Sequence, residues 1–272
     1  MPTYTFTGGD GCILKNLMDI LYPRRCPVCH DILKLSEGPV HSACQAKLKY
    51  VQEPVCYRCG KPVLTGDDEY CSDCMARRHY YESGHAVWVY DALMQKSIAM
   101  YKYHGAKEYA DFYAQQMAAM YGSWIKSLNP DVLIPVPVHW KKKCQRGYNQ
   151  AELLAKRLGM HLHFPVDTKY LVRGQWTKPQ KTLTPAQRYE NLKNVFYIKK
   201  YKKRKLLTQN TIKKLRSLKT FKTRKTKYPV VLLIDDIYTT GSTIDACASV
   251  LKAAGTERVY YLSLCIGSDA GG

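Results

Sequence analysis

The sequence predicts an α/β fold built on a parallel sheet, preceded by a small cysteine-rich module. Apolar runs of strand length occur at 131–136, 229–234 and 258–266, and segments with helical periodicity lie between them. Strands that alternate with helices are typical of a parallel sheet covered by helices. Seven of the 11 cysteines fall between Cys26 and Cys74, which sets that region apart from the rest of the chain.

The pattern predicts two domains. Residues 1–80 form the first, with an amphipathic helix at 14–21 followed by the cysteine-rich module, and residues 81–272 form the α/β domain, with a basic insertion at 199–227. Within the α/β domain, apolar spacing predicts strands and helices in regular alternation. The expected elements are a strand at 85–90, helices at 92–101 and 108–125, the strand at 131–136, a helix at 149–158, the strand at 229–234, a helix at 242–254 and the strand at 258–266.

The charge of the chain is concentrated in one segment. The formal net charge is +20, but residues 199–227 hold 14 Lys or Arg and no acid, which leaves +6 for the remainder. Two interpretations of this segment stay open: a solvated surface insertion, or a contact to the phosphate backbone of single-stranded DNA. No apolar run of about 20 residues and no secretory signal is found, so we expect a cytoplasmic protein with no membrane span.

The cysteine-rich module is an internal duplication of paired ligands. Each pair has two residues between its members: Cys26 and Cys29, His41 and Cys44, Cys56 and Cys59, Cys71 and Cys74. The last four repeat the first four at an offset of 30 residues. Two such pairs complete a tetrahedron of soft ligands, so the pattern predicts two structural Zn²⁺ sites. The spacing leaves open whether adjacent or crossed pairs share an ion, and reduced cysteines without metal are the alternative.

A phosphate-binding loop is predicted in VVLLIDDIYTTGST, at 230–243. An apolar strand ends in Asp235 and Asp236, and a short loop leads into a helix whose first N–H groups point at an incoming anion. The loop residues are Thr239, Thr240, Gly241, Ser242 and Thr243. Because a pure phosphate site avoids negative charge, the two acids indicate a hydroxylated or metal-bound group beside the phosphate, such as a ribose diol with Mg²⁺. The alternative is a polar turn with a helix cap.

Five stretches of the chain resemble one family. The segment IDDIYTTGST resembles the signature of type I phosphoribosyltransferases that binds 5-phosphoribosyl-1-pyrophosphate (PRPP). The chain as a whole resembles the ComF family, which is competence-associated and phosphoribosyltransferase-like. The other matching stretches are LYPRRCPVC at 21–29, YKYHG at 101–105, IPVPVHWKKKCQRGYNQAELLA at 134–155 and KPQKTLTPAQRYENLKNVF at 178–196.

The resemblance implies a Rossmann-like type I phosphoribosyltransferase fold and roles for particular residues. Asp235 and Asp236 would hold the ribose hydroxyls, and the loop at 239–243 would hold the 5′-phosphate. Arg146 and Lys102 would face the pyrophosphate with Mg²⁺, which makes Asp235, Asp236 and Arg146 the catalytic candidates. Residues 180–188 would form a lid. His41 departs from the family pattern, in which a cysteine is usual.

Three functions are consistent with these features. The first is a glycosyltransferase that transfers the phosphoribosyl group from PRPP to an acceptor that the sequence does not identify. The second is a DNA-uptake factor that binds single-stranded DNA without essential catalysis, together with other competence proteins. The third is a regulator that senses PRPP.

Overall fold

The computed structural model describes residues 23–34, 36–63, 68–174, 195–199 and 227–267. Three sequence predictions fall outside these residues: the helix at 14–21, the lid at 180–188 and all but the two ends of the basic insertion at 199–227. No helix within the described ranges combines the length and the apolar character needed to cross a membrane.

The centre of the fold is a four-stranded parallel sheet in the order β1-β6-β5-β2. Its strands are β1 (Gly84–Val89), β2 (Val132–Pro135), β5 (Val230–Tyr238) and β6 (Arg258–Ile266). The predicted parallel α/β architecture is therefore confirmed. The central strand β5 is apolar without alternation from Val230 to Ile234, as expected for a strand that is covered on both faces.

Helices cover both faces of this sheet. In chain order the helices are α1 (Ser42–Gln45), α2 (Ser72–Ala76), α3 (Ala92–Tyr103), α4 (Tyr109–Leu128), α5 (Trp140–Arg146), α6 (Gln150–Leu162) and α7 (Ser242–Ala253). Leu232 and Ile234 pack into one core with α3, α4 and α6. Val231 and Leu233 point to the opposite face and pack into a second core with α7. Successive side chains of a strand alternate between faces, so one apolar run supplies both cores.

Strand β5 is longer than the sequence predicted. The strand was expected to stop at Ile234, before the acids, but it continues to Tyr238 and stays in register with β6 as far as Ile266. Asp235 and Asp236 therefore lie inside the hydrogen-bonded ladder and not at its end. In the sequence, two acids after an apolar run indicate the end of a strand. Here they occur within the strand because both acids line a cavity.

A small antiparallel pair of strands stands beside the main sheet. Strands β3 (Leu171–Arg173) and β4 (Phe196–Ile198) pair next to Tyr170, whose carbonyl accepts a hydrogen bond from the Lys199 amide at 2.8 Å. The Lys227 ammonium reaches the Asp167 carboxylate at 2.9 Å, and the Tyr228 hydroxyl donates to the same oxygen at 2.9 Å. The two described ends of the basic insertion thus meet at one corner.

The duplication seen in the sequence is also present in the backbone. The first ribbon (residues 23–48) and the second ribbon (residues 53–78) each close a turn by an amide-to-carbonyl bond, from His30 to Cys26 at 2.9 Å and from Gly60 to Cys56 at 2.7 Å. His30 and Gly60 both have positive φ, at 71° and 66°. The chain between the ribbons runs antiparallel to β1, where the Val51 amide donates to the Val87 carbonyl at 3.0 Å.

Candidate functional site

A cavity of about 320 Å³ lies at the carboxyl ends of β2 and β5. Open α/β sheets bind their ligands at this edge. The lining residues are Tyr90, Lys102, Val136, Pro137, Val138, Lys142, Arg146, Asn149, Ala151, Arg173, Asp235, Asp236, Ile237, Thr239 and Thr243. The structure thus brings together six of the residues predicted for PRPP: Lys102, Arg146, Asp235, Asp236, Thr239 and Thr243.

The acidic pair lies on one wall of the cavity. The Asp235 carboxylate accepts a hydrogen bond from the Asp236 amide at 2.9 Å, and the Asp236 carboxylate forms an ion pair with Lys102 at 2.8 Å. Burial, followed by the neighbouring Asp236 charge, raises the pKa of Asp235 well above its usual range. Burial acts to lower the pKa of Lys102, but the charge of Asp236 outweighs it and the pKa is raised. A second negative charge is therefore costly here, and a bound cation would relieve that cost.

The loop at 239–243 turns sharply into α7. Gly241 has a φ of 72° and caps the helix, and its carbonyl accepts the first helical bond from the Asp245 amide at 2.8 Å. A side chain at Gly241 would collide with the ring of Tyr238, so glycine is required for two reasons. The Thr240 and Ser242 hydroxyls lie 3.0 Å apart, and Ser242 is buried. Of the five loop residues, the side chains of Thr239 and Thr243 are the ones that line the cavity.

Four cations face the acids. Sequence reasoning identified Lys102 and Arg146 but missed Lys142, on the short helix α5, and Arg173, at the end of β3. Arg146 donates to the Gln150 side chain at 3.1 Å and stacks over the ring of Tyr103 at 4.9 Å. Burial, and then the charge of Arg173, lower the pKa of Lys142. Repulsion among these cations means that a bound polyanion would be stabilised.

The ligands predicted for zinc form two separate groups. The first cluster is Cys26, Cys29, His41 and Cys44, and the second cluster is Cys56, Cys59, Cys71 and Cys74. Within each cluster the ligand atoms lie within 4.8 Å of one another. Adjacent pairs are therefore brought together, and the crossed arrangement that the sequence left open is not formed.

The donor sets fit Zn²⁺. Three thiols and one imidazole in the first cluster, and four thiols in the second, are soft ligands in tetrahedral number. The Nδ1 atom of His41 faces Cys29 Sγ at 3.3 Å, while its Nε2 lies 3.5 Å from the Glu37 carboxylate. A carboxylate on the far side of a ligating imidazole is the usual way in which its orientation is fixed. Four protein ligands leave no open position for water, so both sites are structural.

Comparisons with known proteins bear on both parts of the chain. Residues 17–75 match the family described as a double zinc ribbon domain. The chain is 26% identical over 247 residues to Competence protein F of Haemophilus influenzae, covering 88% of this chain and 96% of that protein. It is 27% identical over 233 residues to Competence protein ComFC of Bacillus subtilis, covering 82% of each. It is 24% identical over 250 residues to DNA utilization protein YhgH of Escherichia coli strain K12, covering 89% and 97%.

Proposed function

Because the chain belongs to the ComF family, we propose that its cavity binds PRPP with Mg²⁺ and that the protein transfers the phosphoribosyl group to an acceptor. One observation carries the proposal: a single cavity joins two half-buried acids, the start of a helix and four cations. Few ligands need all three. A ribose diol suits the acids, a terminal phosphate suits the helix start, and a pyrophosphate suits the cations.

The proposal assigns each wall of the cavity a task. Asp235 and Asp236 hold the ribose hydroxyls, and the loop at 239–243 binds the 5′-phosphate. Lys102, Arg146, Lys142 and Arg173 neutralise the pyrophosphate. Mg²⁺, when bound, supplies further positive charge to the phosphate oxygens. Pyrophosphate leaves with the bonding electrons as the C1–O bond breaks, and the acceptor forms the new bond to C1, so positioning and charge neutralisation are the protein's main contributions.

Without ligand, Lys102 and Asp236 of this site are paired with each other. Asp236 has an internal counter-ion at 2.8 Å, and both groups line the cavity. A ribose hydroxyl or Mg²⁺ at Asp236 would free Lys102 to bind a phosphate oxygen instead. Lys102 would then exchange the Asp236 carboxylate for a phosphate oxygen, while Asp236 would keep a hydrogen-bond or metal partner, which limits the desolvation cost.

Calorimetric titration with PRPP, with and without Mg²⁺, tests this assignment. We expect saturable binding that requires Mg²⁺, and weaker binding by Asp235→Asn and Asp236→Asn, by about 1.5–3 kcal/mol each, because a charge-assisted hydrogen bond is lost. Lys143→Gln is the matched control, since Lys143 pairs with Glu152 on the surface and does not line the cavity. If the double Asp variant binds PRPP like the parent, the site is wrongly assigned. Pyrophosphate release with candidate acceptors then separates transfer from sensing.

A second candidate function is the handling of single-stranded DNA during uptake, with other competence proteins as partners. It is favoured by the names of the relatives, which refer to competence and DNA utilization, and by the 14 cations at 199–227. Contacts of this kind give affinity that falls steeply with salt. Replacing residues 200–226 by a short Gly-Ser linker should flatten the salt dependence of binding to a labelled oligonucleotide, measured by fluorescence anisotropy, and leave PRPP binding intact. An unchanged salt slope would exclude this segment as the contact.

The proposal also places the protein in the cytoplasm. Both clusters need reduced cysteines to bind metal, and thiols stay reduced in that compartment.

A further inference from the structure

One histidine connects the second cluster to α7, the helix that follows the phosphate loop (residues 239–243). The Nε2 atom of His79 lies 3.5 Å from Cys74 Sγ, and its Nδ1 lies 2.5 Å from the Asp245 carboxylate in the first turn of α7. The side chains of His79 and Asp245 are only 1% and 3% exposed. Two nitrogens of one buried ring thus join a cluster thiol to the helix that begins at the loop.

The same segment makes two further contacts, one from a side chain and one from the backbone. The Arg77 guanidinium donates to the carbonyl of Thr240, within the loop itself. The Tyr80 amide donates to the second oxygen of Asp245 at 3.0 Å. The connection between Cys74 and Tyr81 therefore contacts the loop at its centre and the helix at its first turn.

A stack of tyrosines forms a parallel route. The Tyr261 hydroxyl donates to the Cys59 carbonyl at 2.5 Å, and its ring stacks on Tyr238 with centroids 4.8 Å apart. The Tyr238 hydroxyl bonds that of Tyr81 at 2.7 Å, and the same ring closes the space beside Gly241. A shift of the second cluster would therefore reach the loop through packed aromatic rings as well.

The contacts of Asp245 with His79 and Tyr80 matter because Asp245 is a negative charge at the start of α7. A carboxylate in the first turn of a helix competes with any anion for the N–H groups and the positive end of the dipole. Here both Asp245 oxygens are turned away from the cavity, one to His79 and the other to the Tyr80 amide. The loop amides stay available because the segment that follows the second ribbon holds the acid elsewhere.

We propose that His79, Asp245 and Arg77 are positioning residues through which the second cluster, but not the first, fixes the phosphate loop in its binding conformation. The identity of the ligand rests on the proposed function, whereas the ordering of the loop does not. Among the described residues the first ribbon makes its contacts on the opposite core, at Ser97 and Tyr109. Loss of metal from the second cluster, or loss of His79, should loosen the loop at 239–243 and the first turn of α7 and leave the first ribbon unchanged.

Hydrogen exchange of the ligand-free, zinc-loaded full chain tests the coupling directly. We expect His79→Ala to speed exchange of the amides at 240–245 by about tenfold or more, the scale of one lost buried hydrogen bond. His79→Gln should restore part of the protection, because its amide can still donate to Asp245. His30→Ala is the matched control, since it removes the histidine of the first ribbon that bonds Tyr109, and it should leave these amides unaffected.

Two further measurements separate the coupling from a simple loss of zinc. Asp245→Asn alters the contact to His79 without changing a zinc ligand, so elemental analysis should still give two zinc ions per chain. The loop of this variant should nevertheless exchange faster. Weaker PRPP binding, by about tenfold, should accompany faster exchange in each variant. Unchanged loop exchange in both His79→Ala and Asp245→Asn would overturn the coupling. Faster exchange in a chain that binds no PRPP would support the coupling and reject the proposed function.

Discussion

The first and second ribbons share a backbone but differ in what surrounds them. Both close on a positive-φ residue with matching amide-to-carbonyl bonds, 30 residues apart. The first ribbon packs into the core with α3 and α4, while the second packs into the core on the opposite face of the sheet, with α7. The spacing of the ligands therefore sets the backbone shape of each ribbon, whereas the face of the sheet on which a ribbon packs determines which helices and loops it contacts.

The positive-φ position shows how the two copies have diverged. In the first ribbon it is His30, whose ring stacks on Tyr109 and bonds its hydroxyl at 3.0 Å. In the second it is Gly60, where an added Cβ would lie 2.6 Å from the carbonyl oxygen of Gly84. The second ribbon lies so close to β1 at this position that no side chain fits, and the same ribbon contacts the loop at 239–243 through Arg77.

The largest expected difference between the ribbons comes from matched ligand substitutions. Cys26→Ser and Cys56→Ser should each reduce zinc from two ions to one per chain by elemental analysis. Structural zinc contributes roughly 10–16 kcal/mol in isolated modules, so each ribbon should unfold. Only Cys56→Ser should also abolish PRPP binding, because within the described part of the chain it is the second ribbon, and not the first, that contacts the loop. Equal loss of PRPP binding in the two variants would show that the ribbons act alike.

A smaller effect is expected at the positive-φ position. Gly60→Ala should destabilise the chain by about 1–3 kcal/mol in urea unfolding, because the new Cβ has no space and φ is unfavourable. His30→Ala should cost about 1 kcal/mol, because that backbone already carries a side chain and only the Tyr109 contact is lost. A cost at Gly60 no greater than that at His30 would argue against the close approach to β1.

The smallest expected effect concerns His41, the imidazole among the thiol ligands of the two clusters. Glu37→Gln should weaken zinc binding at the first cluster by about tenfold, since it removes the carboxylate that orients His41. The second cluster should be unaffected. In a His41→Cys background the same substitution should change nothing, because no imidazole remains to be oriented. Competition with a chromophoric chelator measures both sites, and an effect of Glu37→Gln that persists without His41 would contradict this role.

The sequence predicted what depends on short spacing. The clusters, the parallel strands and the loop at 239–243 each rest on residues close together in the chain, and the ligand groups and sheet are as expected. It missed Lys142 and Arg173 because they enter the cavity from a seven-residue helix and a three-residue strand, which leave weak periodic signals. The predicted end of β5 is also too early, because two polar residues after an apolar run indicate the end of a strand even when, as here, they line a cavity.

The contacts between ribbon and loop were beyond sequence reasoning for a different reason. His79 and Asp245 are 166 residues apart, and neither belongs to a motif. His79 follows the last ligand by five residues and carries no ligand spacing of its own. Such a pair is recognisable only once the second ribbon has been placed against α7, which depends on the packing of the whole sheet.

The two described ends of the basic insertion, Lys199 and Lys227, lie at one corner of the fold beside Tyr170. The chain leaves beside the Tyr170 carbonyl at Lys199 and returns with the Lys227 ammonium 5.7 Å from the centre of the same ring. The entropy of closing a chain segment between two such ends grows only with the logarithm of its length. A change in the length of the segment between these two ends should therefore cost little stability, and an experimenter could graft a foreign peptide there as a reporter.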